Sequence, residues 1–217
     1  MKRSAVPIRS ADVDDATGDT AYVRTPRRQQ RIQDVLSRRQ TDLTVVLEDV
    51  HDPHNVAAVF RSCDAVGVLD VHVIYVHEPP PKRSSGKLTS ASASKWIRTH
   101  LHDSVDACYG TLRAEGKTIL TTALTEDGQD LYAYDLMQPT ALVFGNEMRG
   151  ASDAAIEQAD GVISIPMMGM VESLNISVAC AVTLFEAMRQ RRAAGVYDEP
   201  RIEAGERDTL KAEWLRR

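Results

Sequence analysis

Residues 163–192 read ISIPMMGMVESLNISVACAVTLFEAMRQRR. A short strand, Ile163–Ile165, meets Pro166, crosses a Met- and Gly-rich loop and enters a long helix at Ser173-Leu174-Asn175. From Leu174 to Met188, 11 of 15 residues are apolar, more than the single stripe of a surface helix supplies. Such a helix has to be covered on more than one side, by a large core or by a second subunit. Its first turn nevertheless carries Ser173, Asn175 and Ser177, where a helix offers orphan N–H donors and partial positive charge. Taken alone, Ser173 reads as an N-cap and Asn175 as a locally satisfied amide.

Outward from this segment the chain alternates strands and helices. Leu43–Glu48 reads as a buried strand, His51–His54 as a loop, and Asn55–Val66 as a helix with Val56, Val59, Phe60 and Cys63 toward the core, ended by Gly67. Val71–Val76, Thr118–Thr122, Ala141–Phe144 and Val162–Ile165 read as further strands; Ser104–Glu115, Ser152–Gln158 and Glu203–Leu215 read as helices. Glu78–Ser94, rich in Pro, Ser and Thr, reads as a mobile loop closed by Lys95-Trp96-Ile97. This alternation predicts an α/β fold with a mainly parallel sheet flanked by helices. Ligands then belong beyond the carboxyl ends of the strands. Three such ends carry polar groups: His54 and Asn55 with Arg61, Gly145-Asn146-Glu147, and Pro166–Asn175. No GxGxxG follows a strand and no phosphate loop with Lys-Ser/Thr is present, which disfavours nicotinamide chemistry.

Composition limits the possibilities further. The chain has 217 residues, is 43% hydrophobic, and contains no apolar run long enough for a membrane span. Its first residues are basic but lack an apolar core, so no secretory signal is expected. Cys63, Cys108 and Cys180 are odd in number and widely spaced; they suggest reduced thiols in the cytoplasm and no metal site. Net charge is −5 overall, yet residues 24–40 and 82–98 each carry a local +5, leaving −15 on the rest. That segregation suggests basic arms for a polyanion on an acidic body. Arg27, Arg28, Arg31, Arg38 and Arg39 of the first arm, with Lys87 and Lys95 of the second, are the residues expected to contact the polyanion.

PHNVAAVFRSCDAVG (53–67), ALVFGNEMRGAS (141–152) and ISIPMMGMVESLNISVA (163–179), in that order, resemble the motifs of the SPOUT superfamily, in particular the SpoU/TrmH family of RNA 2′-O-ribose methyltransferases. With DLTVVLEDVHDPHN, TSASASKW and the two basic arms, the likeness is to its tRNA-modifying branch. The resemblance implies a C-terminal deep trefoil knot, S-adenosyl-L-methionine as cofactor, a homodimer whose second subunit completes the RNA site, and the ribose of guanosine-18 in tRNA as target. The same chemistry on ribosomal RNA, and a non-catalytic RNA-binding role for the same fold, are the alternatives. The expected division of the chain is a polar, aperiodic and disordered tail (1–24), a methyltransferase domain with a basic N-terminal helix (25–195) and a C-terminal helical extension (196–217).

Transferred residue by residue, the resemblance assigns cofactor contacts to Thr122, Gly145, Ile165 and Leu174, with Asn146 and Met170 nearby. The catalytic set is Arg61, Asn55, Glu147, Ser173 and Asn175. A guanidinium is a poor base, its pKa lying above about 12. Arg61 is therefore expected as a two-point phosphate clamp that orients the 2′-hydroxyl, with phosphate or water taking the proton.

Overall fold

The computed structural model describes residues 25–77, 92–125 and 128–217. The expected N-terminal tail, most of the Glu78–Ser94 loop and the RNA contact at Lys87 lie outside them. The described residues form one seven-stranded parallel sheet in the order β3-β2-β1-β6-β4-β7-β5. Its strands are β1 (Leu43–Glu48), β2 (Asp70–Ile74), β3 (Arg98–His102), β4 (Thr118–Thr122), β5 (Gln129–Asp130), β6 (Thr140–Phe144) and β7 (Gly161–Ser164). The helices are α1 (Pro26–Leu36), α2 (Pro53–Val66), α3 (Val105–Ala114), α4 (Asp153–Glu157), α5 (Ile176–Ala193) and α6 (Ala204–Arg216).

The chain first walks outward, β1 to β2 to β3, then crosses to build the other half, with β6 inserted between β1 and β4. That reversal is a topological switch, and the crevice beyond the strand ends there is where an open sheet takes ligands. Strands β1, β2 and β6 are buried along their whole length, as strands covered on both faces must be. On one face α2 and α5 pack over Leu43, Val45, Leu47, Val71 and Leu142; on the other α3 covers Val46, Ile74, Ile119 and Val143.

Helix α2 begins at Pro53, two residues before the expected start, because Asp52 caps it by accepting from His54 N at 2.9 Å. It ends at Gly67, whose φ of +89° suits glycine; a Cβ there would meet Arg38 O at 2.6 Å. Val56, Val59, Phe60 and Cys63 are buried as the apolar periodicity requires. The long helix is shifted relative to its expected start: α5 begins at Ile176, and its N-cap is Asn175, not Ser173. Within one chain α5 buries Cys180, Leu184 and Ala187 against the core but leaves Val178 and Phe185 about half exposed. A single subunit thus does not cover the helix all round.

Strand β3 was not expected from sequence. Its residues, RTHLH, are polar or exposed on both faces, and Leu101 is 64% exposed at the sheet edge. The short β5 was likewise missed. Strand β2 stops at Ile74 because Val76 N turns instead to Asp49 Oδ1 at 2.9 Å. Helix α6 packs on α1 through Ile32, Leu36, Leu210 and Trp214, so the two ends of the described chain share a small core.

Candidate active site

A cavity of about 550 Å³ opens beyond the ends of β4, β6 and β7, within the usual range for small-molecule sites. Its floor is apolar (Phe144, Ile163, Ile165, Ile176, Ala179) and its rim polar (Thr122, Ser173, Asn175). Three carboxylates line it, Glu147, Asp153 and Glu172, against one guanidinium, Arg149, a field that favours a cationic ligand. S-adenosylmethionine, with a sulfonium and an ammonium group, fits this donor set and volume. Thr122, Gly145, Asn146, Ile165 and Leu174, the expected cofactor contacts, all line the cavity.

The loops around the cavity are held from within. Asn146 Nδ2 donates to Asp49 O at 2.7 Å, while its Oδ1 accepts from Met148 N and Arg149 N at 2.9 and 3.1 Å. Its side chain is thereby committed to shaping the 146–150 turn. Gly145 is needed for that turn, since a Cβ there would sit 2.1 Å from Ala151 N. The glycine therefore serves the chain's own close approach before any ligand's. Buried Glu48 accepts from Ser152 N at 2.9 Å and from Ser152 Oγ at 2.5 Å, tying the end of β1 to the cap of α4.

At the cavity mouth the three sequence blocks meet. Glu147 Oε1 accepts from Asn55 Nδ2 at 3.1 Å, with Asp52 N at a longer 3.4 Å. Asn55 Oδ1 in turn accepts from Asn175 Nδ2 at 3.1 Å, and Asn175 Oδ1 caps α5 through Ser177 N at 2.9 Å. The carboxylate of Glu147 thus faces the N-terminus of α2, a favourable position for negative charge. It does not brace its own turn.

Three expected positions need correction or comment. Met170 is 99% exposed and does not line the cavity; Met167 does. Ser173 lines the rim without capping the helix. Arg61 is exposed, outside the cavity, and its side chain pairs with no described residue. Six residues beyond Asn55 it stands about 9 Å along α2 and on another face. Asp64, its natural helix neighbour, is engaged elsewhere by Arg39.

Arg39 is the clearest correction among the RNA contacts. It is fully buried, donating to Val68 O at 2.9 Å, Asp64 Oδ1 at 2.5 Å and Trp96 O at 3.1 Å, with its guanidinium 5.2 Å from the Trp214 ring. Burial pulls its pKa down, and the Asp64 charge opposes that. Arg27, Arg31, Arg38 and Lys95 are exposed, whereas Arg28 is half-buried beside Trp96. Arg31, Arg38 and Arg192, with Trp96, line a second cavity of about 950 Å³ between α1 and the ends of α2 and α5.

Residues 42–185 match the model of the SpoU rRNA Methylase family. The chain belongs to that family. It is 47% identical over 194 residues to a tRNA (guanosine(18)-2′-O)-methyltransferase of Thermus thermophilus, covering 89% of this chain and 98% of that one. The solved Aquifex aeolicus TrmH/SpoU tRNA modifying enzyme superposes with a TM-score of 0.79 at 35% identity, over 88% of this chain and 95% of that one. The SpoU methyltransferase AviRb of Streptomyces viridochromogenes, solved with the cofactor AdoMet, superposes at 0.61 and 28% identity over 71% and 62% of the two chains. Family membership accounts for the order of the three blocks and for the crevice in which they converge.

Proposed function

We propose that this chain methylates the ribose 2′-oxygen of guanosine-18 in tRNA, using S-adenosylmethionine and acting as a homodimer. The observation that carries the reading is the Glu147–Asn55–Asn175 chain of hydrogen bonds, which joins all three family blocks at the mouth of a cofactor-sized cavity. When bound, S-adenosylmethionine supplies an electrophilic methyl on a sulfonium sulfur. The strand-end residues Thr122, Gly145, Ile165 and Leu174 hold it, and the surrounding carboxylates favour its charge. Glu147 keeps Oε1 on α2, leaving Oε2 to receive a ribose or base hydrogen. Asn55 and Asn175 fix that carboxylate, so the acceptor is aligned before it arrives. Arg61 grips the adjacent phosphate at two points, and the 2′-hydroxyl proton passes to phosphate or water.

The position of Arg61 outside its own subunit's cavity supports a site shared between two copies. So does the half-exposed apolar face of α5, with Val178 and Phe185 one heptad apart. Exposed Arg27, Arg31, Arg38 and Lys95 then track the tRNA backbone. Residues 25–195 serve as the methyltransferase domain, and 196–217 as an extension folded back on α1. The trefoil knot expected of the family falls in the 140–193 segment; the return of α5 onto α2 supports it. No helix of the described residues is long and apolar enough to cross a membrane. The three unpaired, buried cysteines suit the reducing cytoplasm.

The test is methyl transfer from labelled S-adenosylmethionine to an unmodified tRNA transcript, with the site mapped by mass spectrometry. A single 2′-O-methylguanosine at position 18, absent from a guanosine-18→adenosine transcript, is expected. Methylation of a ribosomal RNA fragment alone, or RNA binding without turnover, overturns the assignment.

A further inference from the structure

On the far half of the sheet, away from the cavity, β2 and β3 run in register with His72 opposite His100 and Ile74 opposite His102. Side chains two apart on a strand share a face, so His72, His100 and His102 all lie beneath α3. Cys108, in the first turn of that helix, comes down onto the same patch. One ring nitrogen each of His72 and His102 and the Cys108 sulfur lie within 4.8 Å of one another. His72 Nδ1 and His102 Nε2 are 2.9 Å apart, and the His72 ring stacks on those of His100 and His102 at 4.6 and 5.1 Å. His72 and Cys108 are buried, His102 is half-buried and His100 exposed, so the cluster opens to solvent along the β3 edge. None of these residues lines the active-site cavity.

We propose that His72, His102 and Cys108 form a binding site for a divalent transition-metal cation of the zinc class, structural in role and separate from the methyl-transfer site. Two imidazoles and a thiolate are the donors that a borderline-soft, four-coordinate ion prefers. Bonds of about 2.0–2.1 Å to nitrogen and 2.3 Å to sulfur place such donors roughly 3.4–3.6 Å apart. The two rings already stand closer than this, and the sulfur has to close in by about an ångström at most, which rotamer adjustment supplies. The fourth position is filled by water, since His100 Nε2 is already engaged by Asp70 Oδ1 at 2.8 Å. On binding, the Cys108 S–H bond breaks, a sulfur–metal bond forms and the proton leaves to solvent. The proton shared by the two rings moves to an outer ring nitrogen. Uptake of one dication therefore releases one proton. Glu115 lies close enough to act electrostatically on both His72 and Cys108, with Lys117 opposing it at His72. The site would fasten β3, which among the described residues pairs only with β2, to α3. Cysteine spacing in the sequence could not reveal it, because the three ligands come from three elements.

The full, tag-free chain, stripped with a chelator, is titrated with Co²⁺ and then Zn²⁺. One Co²⁺ per chain is expected, with a sulfur-to-cobalt charge-transfer band and four-coordinate ligand-field bands, displaced by Zn²⁺. Release of one proton per ion and a higher melting temperature accompany it. Cys108→Ala should remove the charge-transfer band, and His102→Ala should weaken binding at least about tenfold. Both variants should retain methyl transfer, so the two functional readings fail independently. Absence of cobalt uptake by the wild-type chain, or uptake without the charge-transfer band, overturns the proposal; that result needs no variant to fold.

Discussion

Glu147 accepts a hydrogen bond from Asn55 across 92 positions of sequence, 3.1 Å from carboxylate oxygen to amide nitrogen. The bond fixes the turn after β6 against the first turn of α2, and Asn175 extends it to the cap of α5. One exposed carboxylate thereby sets the relative positions of three segments that would contact cofactor and RNA.

Glu147→Ala should therefore lower methyl transfer about 100-fold or more, on the scale of a lost preorganised polar contact. Stability should fall by only about 1 kcal/mol, the worth of an exposed helix-terminal charge and one hydrogen bond. Single-turnover rates alongside thermal melts check this. A loss of both in proportion would make Glu147 a structural strut alone.

Arg38 and Arg39 are adjacent in sequence but opposite in role. Arg39→Ala leaves two carbonyls and the half-buried Asp64 without their donor, and should cost about 2–4 kcal/mol. Arg38→Ala, at an exposed position, should leave stability within about 0.5 kcal/mol. It should instead reduce the slope of log affinity for tRNA against log salt by about one. Chemical denaturation and salt-titrated binding separate the pair; equal melting of both variants would contradict the burial argument.

This pair also shows where the sequence stops being legible. RRQ at 38–40 carries no local mark that one arginine is buried; its partners are Asp64, Val68, Trp96 and, through its ring, Trp214. Strand β3 was hidden for a related reason, since an edge strand with polar residues on both faces has no alternation to detect. By contrast β1 and the buried face of α2 were legible because burial on both faces, or along one helical stripe, demands apolar residues at fixed periods. The site blocks were legible as motifs, and Asn55, Glu147 and Asn175 do converge. The start of α5 was misplaced because Ser173 and Asn175 both qualify as caps, and the choice is made by Asn55, which lies 120 positions away.

Acid stability should depend on Asp49. Burial would raise its pKa, but hydrogen bonds from the His77 ring and from Val76 and His77 N–H outweigh this and hold it below the usual 3.8. A carboxylate depressed in the folded state contributes stability that is present above its unfolded pKa and is lost as pH falls through the folded value. Asp49→Asn should therefore be less stable than wild type at neutral pH, with the difference shrinking below about pH 4. Urea melts across pH 2.5–7 check the sign; a gap that widens in acid would refute it.

The half-exposed apolar face of α5 is the interface of the proposed homodimer. Phe185 is 47% and Val178 46% exposed, one heptad apart on a helix whose other side is packed. Phe185→Glu should convert a homodimer into monomer by light scattering, because a charge at the centre of an apolar contact is costly to bury. Methyl transfer should fall with the dimer if two subunits share the site. A wild-type chain that is monomeric at micromolar concentration would remove the basis for this.

Arg61 gives the sharpest test of the mechanism. It stands on α2, whose packing is supplied by Val56, Val59, Phe60 and Cys63, and its own side chain is exposed and pairs with no described residue. Arg61→Ala should therefore melt within about 0.5 kcal/mol of wild type and still bind S-adenosylmethionine. Losing the proposed phosphate clamp should raise the barrier by several kcal/mol, on the order of a 1,000-fold slower transfer. Arg61→Lys separates charge from geometry, since lysine keeps the cation but not the planar, two-point grip. Partial activity, well below wild type, is expected of it. Near-complete rescue by lysine would mean that charge alone suffices. Wild-type turnover in Arg61→Ala would remove Arg61 from the site altogether, leaving Glu147, Asn55 and Asn175 to account for the chemistry.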